Sequence, residues 1–349
     1  MKKYILGALT VFIGCWLHAQ KQNYKVAVIA FYNLENFYDT VHNPMVNDVE
    51  FTPQGAKNYN SKIYFTKIER LATVLSGIGT DAAPANPDGP ALIGVAEIEN
   101  DTVLNDLIHH PLLIKRNYKF VHYDSKDARG VDVALLYNSK YFKVEESKPL
   151  FVKLPGNSKD AYYTRDVLWV KGKLDGETIH VYVNHWPSRL GGEERSAPAR
   201  AAAAMVCKKH MDSIAKADGE QKVIIMGDLN DDPISPSITE VLKAKGKIAD
   251  VQPGGIFNPW IDLYKKGIGT LAYQDAWGLF DQIMINYPWL NKSQNGFFYY
   301  QQFIYNREFM KENIGKYKGY PMRTWDGNTY RGGYSDHFPT YIVLLKRIE

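Results

Sequence analysis

The stretch Lys222-Val-Ile-Ile-Met-Gly-Asp228-Leu-Asn230-Asp-Asp-Pro233 constrains this chain more than any other. An apolar, β-branched run of strand length ends at a glycine and then sets down a carboxylate and a carboxamide two residues apart. A buried strand thus delivers polar groups to its own tip. One such group can take a proton while the other donates a hydrogen bond to an oxyanion. Taken alone, the segment also reads as an Asx turn that caps a strand.

The same arrangement recurs along the chain, and the recurrence shifts the balance toward a site. Lys25-Val-Ala-Val-Ile-Ala-Phe-Tyr-Asn33-Leu-Glu35-Asn36 ends in Asn and Glu, and Pro90-Ala-Leu-Ile-Gly-Val-Ala-Glu97 ends in a carboxylate. Val181-Tyr-Val-Asn-His185 ends in a histidine. Asp281 opens the run Asp281-Gln-Ile-Met-Ile, and Ser335-Asp336-His337 stands just before Thr340-Tyr-Ile-Val-Leu-Leu. Six strand tips using only Asn, Asp, Glu and His describe a converging polar centre.

On these segments the sequence resembles the endonuclease/exonuclease/phosphatase superfamily, which includes pancreatic-type deoxyribonucleases, apurinic endonucleases, sphingomyelinases and inositol polyphosphate phosphatases. The texture is closest to secreted bacterial nuclease-like members, through Asp127-Ala-Arg129-Gly-Val-Asp132-Val-Ala and Asn184-His185-Trp-Pro-Ser-Arg189. The resemblance implies an α/β fold, a four-layer αββα sandwich of two packed mixed sheets with outer helices. It also implies hydrolysis of a phosphoester by in-line attack of water, assisted by Mg2+ or Mn2+, with Ca2+ as an additional candidate. Hard oxygen donors suit such a cation. Glu97 is the expected first ligand, supported by Asn33, Glu35 and Asp336. His337 with Asp281 behind it, Asp228 near the attacking water, Asn230 as a phosphate donor and His185 on the leaving-group side complete the expected catalytic set. Whether His337 or Asp228 takes the water proton stays open, and Asp132 is a candidate to orient His185.

Substrate contacts are read from arginines. Arg165, in Tyr162-Tyr-Thr-Arg165, matches a phosphate-contacting position of deoxyribonuclease-like members, and Arg129 and Arg189 flank the His185 and Asp132 segments. Each could equally be a salt-bridge partner. Arg195 and Arg200 flank a helix start, where anions are favoured. Nucleic acid is the expected partner, as DNA or RNA. A lipid headgroup or inositol phosphate is the alternative within the superfamily, and a binding protein on an inactive scaffold is the alternative outside it. The other histidines of the mature chain, His42, His109, His110, His122, His180 and His210, show no partner at metal-ligand spacing and read as structural or exposed.

Organisation follows from the ends and the gaps. Met1-Lys-Lys, an apolar run from Tyr4 to Trp16 and Ala19 form an expected signal peptide over 1–19, which makes the protein secreted or periplasmic. A looser match, Phe12-Ile-Gly-Cys15, would instead anchor a lipoprotein at Cys15. Loss of Lys2 and Lys3 leaves 40 basic against 38 acidic residues, a net +2 that is no strong nucleic-acid signature by itself. Residues 20–349 are expected to form one domain, monomeric and without an obligate protein partner. Apolar spacing predicts helices over Ser61–Ile78 and, with Ser196 as cap, Ser196–Ala217. Cys207 reads as a buried small hydrophobe. The 54 residues between Asp281 and Asp336 interleave aromatic and basic side chains over about 286–333. They form either a substrate platform or an aromatic mini-core.

Overall fold

The chain is described from a computed structural model covering residues 23–156, 163–293 and 295–348. The expected signal peptide, its cleavage point and Cys15 lie outside these residues.

Alternation along single strands builds the layers. In β1 (Asn23–Phe37), Ala27, Ile29 and Phe31 enter a core between two sheets, while Val28, Ala30 and Tyr32 face a second core beneath helices. After β1 come α1 (Ser61–Gly77), β2 (Leu92–Ile98), α2 (Asp101–Ile108), β3 (Tyr118–His122) and β4 (Asp132–Asn138). Next are β5 (Phe142–Leu150), β6 (Val167–Leu174), β7 (Glu177–His185), α3 (Glu193–Asp218) and β8 (Lys222–Asp228). Then follow β9 (Ile256–Phe257), α4 (Ile261–Lys265), the hairpin β10 (Leu271–Tyr273) with β11 (Ala276–Gly278), and β12 (Asp281–Asn286). The chain ends with β13 (Phe298–Ile304), the hairpin β14 (Trp325–Asp326) with β15 (Thr329–Tyr330), and β16 (Thr340–Ile348).

Two six-stranded sheets result, ordered β13-β16-β1-β2-β4-β3 and β5-β6-β7-β8-β12-β9. Both are mixed, because β1 runs parallel to β2 and β7 parallel to β8 while the other pairs are antiparallel. In β8, Ile224 and Met226 face the other sheet, and Val223 and Ile225 face α3. The α1 and α2 helices cover one outer face and α3 the other, which is the expected four-layer sandwich. Gly94 leaves room for the facing sheet: a Cβ there would meet Met226 Sδ at 2.5 Å.

Helix boundaries differ in detail from the sequence expectation. The α1 helix starts as expected at Ser61, with Asn60 accepting from the Lys62 and Ile63 amides. The α3 helix begins three residues before the expected cap, and Ser196 Oγ instead donates to the Gly192 and Glu193 carbonyls inside the first turns. Cys207 is buried and donates to Asn184 Oδ1. The long Asp281–Asp336 connection is less loop-like than expected, since β13 within it pairs with β16 as an edge strand.

His180 sits under α3, stacked on Trp169 and accepting its indole N–H at Nδ1. Burial, together with nearby Lys171 and His210, pushes the ring down to about 4 from 6.5. The unfolded chain therefore takes up the proton first. Stability from this site is complete above about 6.5 and declines as pH falls toward 4. Urea unfolding of wild type is expected to show a lower midpoint at the acid end of this window than at neutral pH, and His180→Gln to flatten that dependence.

Candidate active site

Strand direction brings the polar tips to one edge. The parallel pair β1 and β2 ends there with Asn33 opposite Ala96, and the parallel pair β7 and β8 with His185 opposite Asp228. The antiparallel neighbours begin where those pairs end, so Asp281 lies opposite Asp228, and Thr340, just after Asp336 and His337, lies opposite Phe31. All six tips thus meet at one end of the sandwich.

The backbone leaves regular geometry at these tips. Glu35, Asn36, Glu97 and Asn230 all have left-handed φ values, 51°, 47°, 61° and 48°. Such conformations cost free energy and persist only where the surroundings hold them. Hydrogen bonds do so here. The Asn36 amide donates to Glu97 Oε2 (2.8 Å), the Glu35 amide to Asn33 Oδ1 (2.9 Å), and the Asn230 amide to Asp228 Oδ1 (3.0 Å). Gly227 lets Asn184 cross beside it. A Cβ on Gly227 would lie 2.3 Å from the Asn184 carbonyl oxygen, and the Asn184 amide donates to the Met226 carbonyl while its Oδ1 accepts the Trp186 indole N–H.

Asp228 is buried and central. Its Oδ2 accepts from Asn33 Nδ2 (3.0 Å) and lies 3.7 Å from His185 Nε2 and 3.9 Å from His337 Nε2. Burial raises its carboxyl above the usual range, as does Asp281, against the lowering pull of His337. His337 Nδ1 is 2.7 Å from Asp281 Oδ2, which also accepts from Thr270 Oγ1. Burial alone would lower this imidazole. Asp281, Asp228 and Asp336 together outweigh it and raise the ring well above 6.5. His185 is driven the other way, well below 6.5, by burial and by Arg165, Arg129 and His337. The two imidazoles therefore hold opposite states at neutral pH, His337 protonated and His185 neutral.

Glu35 accepts from the Thr324 amide (2.7 Å), and its carboxyl is raised by burial and by Asp336 and lowered in part by Lys67. Lys67 Nζ stands 3.8 Å away and donates to Thr324 Oγ1 and the Tyr334 carbonyl. This lysine was missed in the sequence. Its signal was a charge set inside the apolar stripe of α1, between Tyr64 and Leu71.

The oxygen-rich donors suit a hard divalent cation. Glu97 Oε1 lies 3.7 Å from His185 Nε2 and Asp336 Oδ1 lies 3.9 Å from His337 Nε2, while the Glu35 oxygens accept the Thr324 and Trp325 amides and Asn33 Oδ1 accepts the Glu35 amide. Asp228, Asp281 and His337 also offer one atom each within 4.8 Å of one another. In that cluster Asp281 Oδ2 and His337 Nδ1 are engaged with each other, while Asp281 Oδ1 is buried without a hydrogen-bond partner among the described residues.

Four sequence readings change. Arg165 is buried. Its Nη1 pairs with Asp127 (3.0 Å), while Nε and Nη2 donate to the His185 and Trp186 carbonyls, so it braces the His185 strand end instead of facing a phosphate. Arg189 donates to the Asn230 carbonyl, Asp232 and Glu193, which likewise positions Asn230. Asp132 does not orient His185: its Oδ1 accepts the Ser125 amide and its Oδ2 lies 3.9 Å from His122. Arg129 remains beside the site with its side chain 44% exposed. Arg200 is fully buried, with Nε against Asp231 (2.6 Å) and Nη2 donating to the Glu193 carbonyl in the first turn of α3.

A profile of the Endonuclease/Exonuclease/phosphatase family matches residues 28–346, and the chain belongs to that family. Similar folds include a humanized D. rerio TDP2, 14% identical, with a TM-score of 0.53 and coverage of 91% of this chain and 98% of that one. A Bacteroides thetaiotaomicron endonuclease/exonuclease/phosphatase family protein is 16% identical, with a TM-score of 0.53 and coverage of 94% and 100%. A Bacteroides thetaiotaomicron mannosyl-6-phosphatase is 16% identical, with a TM-score of 0.53 and coverage of 91% and 99%. Among curated proteins, no sequence matches significantly.

Arg165→Ala leaves Asp127 buried without its partner. A loss of about 3–5 kcal/mol in unfolding free energy is expected, as for breaking other buried ion pairs. Turnover of a small soluble phosphodiester should fall together with that of larger substrates, because His185 loses its brace. Parallel melting curves and kinetics check this; a normal melting temperature with selective loss on large substrates would restore the surface-contact reading.

Proposed function

We propose that this protein is a divalent-metal-dependent phosphodiesterase that cleaves nucleic acid. The observation that carries the substrate class is a groove leading away from Asp336. It holds about 410 Å³ and is lined by Tyr273, Tyr317, Tyr320 and Lys316, with Arg323 and Arg331 paired to Asp336 and Glu312 on its wall. Tyr273 and Tyr317 are exposed. Flat rings accept bases of any sequence, and the neighbouring cations follow phosphates. The aromatic insert thus divides its residues: Met310, Trp325 and Tyr334 pack into the core, while Tyr317 and Lys316 face the groove.

The chain's own groups divide the chemistry in this reading. Asp228, ionised and adjacent to both imidazoles, accepts the proton of the attacking water. His337, its ring held by Asp281, donates from Nε2 to a phosphate oxygen. Asn230 spends one amide hydrogen on the Trp186 carbonyl and offers the other to the phosphate. A cation held by Glu97, Glu35, Asn33 and Asp336 would supply neutralisation of phosphate charge. Arg129 supplies a cation next to neutral His185 on the leaving-group side.

Activity is expected to require Mg2+ or Mn2+ and to vanish with chelator. Asp228→Ala, Asn230→Ala, Glu97→Ala and His337→Ala should each lower kcat by roughly 10² or more. Near-normal turnover by His337→Ala would sink the mechanism. For the substrate, plasmid, single-stranded DNA, RNA, sphingomyelin, inositol phosphates and sugar phosphates are compared directly. Cleavage of nucleic acid is expected, with Tyr317→Ala/Arg331→Ala weakening it about tenfold while sparing bis-p-nitrophenyl phosphate, since the groove acts on remote binding. Robust turnover of a lipid, inositol or sugar phosphate with no cut in any nucleic acid would overturn this reading.

Among the described residues, no helix is long and apolar enough to cross a membrane. We further propose export by the 1–19 leader. Mass spectrometry of the native N-terminus is expected to begin at Gln20; a lipidated Cys15 would instead mean an anchored form.

A further inference from the structure

One cluster of metal-ligating side chains lies outside the proposed active site. His122 ends β3 with its side chain 97% buried, and its Nε2 is sequestered from solvent with no hydrogen-bond partner. That nitrogen points between two carboxylates, 3.9 Å from Asp124 Oδ1 and 3.9 Å from Asp132 Oδ2. The three ligand atoms lie within 4.8 Å of one another. On the other side of the ring, Nδ1 is 2.8 Å from Asp101 Oδ1 at the start of α2.

We propose that His122, Asp124 and Asp132 form a second cation site, selective for a divalent transition ion such as Zn2+ or Mn2+. The chemistry of each group supports this. An imidazole nitrogen beside two carboxylates suits borderline cations, whereas Mg2+ and Ca2+ favour all-oxygen sets. Ligating histidines regularly give their second N–H to a carboxylate that fixes the tautomer, which is the place Asp101 occupies. Tetrahedral bonds of about 2.0–2.2 Å space ligand atoms by about 3.4 Å. The two 3.9 Å histidine–carboxylate separations therefore need to close by about half an ångström, and the carboxylate oxygens lie within 4.8 Å of each other. Asp124 is 85% exposed and leaves the mouth open to solvent for entry and for a water ligand.

The position gives the ion a structural consequence. Asp124 and Asp132 bracket the loop that carries Asp127, and Asp127 holds Arg165, which braces the His185 and Trp186 carbonyls. A cation at His122 cross-links both ends of that loop to β3. Asp132 is also opposite Ile98, one residue past Glu97 on β2, so the two sites share a strand pair without sharing a ligand. This inference stands whatever the substrate of the phosphoesterase centre.

Equilibrium dialysis against Zn2+ in excess Mg2+, which keeps the oxygen-rich centre filled, tests it on the full mature chain. Wild type is expected to retain about one zinc per chain. His122→Gln should weaken zinc about 100-fold, and Asp124→Asn or Asp101→Asn about tenfold. Asp124 is exposed, so its variant reports on binding even if His122→Gln folds poorly. Zinc should also slow proteolysis within residues 123–131 of wild type and not of Asp124→Asn. Two results would overturn the proposal: no zinc retained by wild type, or zinc lost in Glu97→Gln and kept in Asp124→Asn, which would place the ion in the phosphoesterase centre.

Discussion

Negative charge gathered at one edge of the sandwich is the constraint on which the rest of the structure depends. Glu35, Glu97, Asp228, Asp281 and Asp336 converge there, and most of them are shielded from water. Mutual repulsion and burial push Glu35 and Asp228 toward their protonated forms. Cations on the chain offset this locally, through a proton on His337, Lys67 against Glu35 and Arg323 against Asp336 (3.2 Å). Backbone amides of Asn36, Thr324 and Asn230 take up further lone pairs. What remains is a field that a bound divalent ion would neutralise.

Holding such a field takes a stiff frame, and the frame is built from register and close approach. Parallel pairs place His185 beside Asp228 and Asn33 beside the end of β2. Gly94 and Gly227 are the points where neighbouring groups come too close for a side chain. Left-handed residues at the tips turn carboxylates and carboxamides inward, and regular strands behind them absorb the cost. Arginines, one buried and one half-buried, then clamp the loops. Arg165 fixes the strand end at His185, and Arg189 fixes the turn at Asn230.

Much of this was readable from residues in order, and the misreadings have physical causes. Strand tips stood out because buried apolar runs rarely end in so consistent a set of Asn, Asp, Glu and His. Arg165 was misread because a buried arginine bonded to carbonyls and an exposed one bonded to phosphate look alike in one dimension; the choice depends on Asp127, 38 residues away. His122 was set aside for lack of a partner at local spacing, yet folding brings Asp101, Asp124 and Asp132 around it. Lys67 was hidden in an amphipathic helix, because its partners Glu35 and Thr324 come from distant segments.

The sequence by itself determined the layers, through period-two alternation in strands and the apolar stripe of α1, and it determined which residue types stand at the active edge. Those are local properties, written in neighbouring side chains and their preference for water or core. Only the tertiary structure decided which ionisable groups share a hydrogen bond, which are buried, and so which hold a proton. Opposite protonation of His185 and His337, the inward turn of Arg165 and the gathering of His122 with its carboxylates all depend on distances between segments far apart in the chain. Electrostatic energies vary with such distances and with burial, and neither is set until the two sheets have closed on each other.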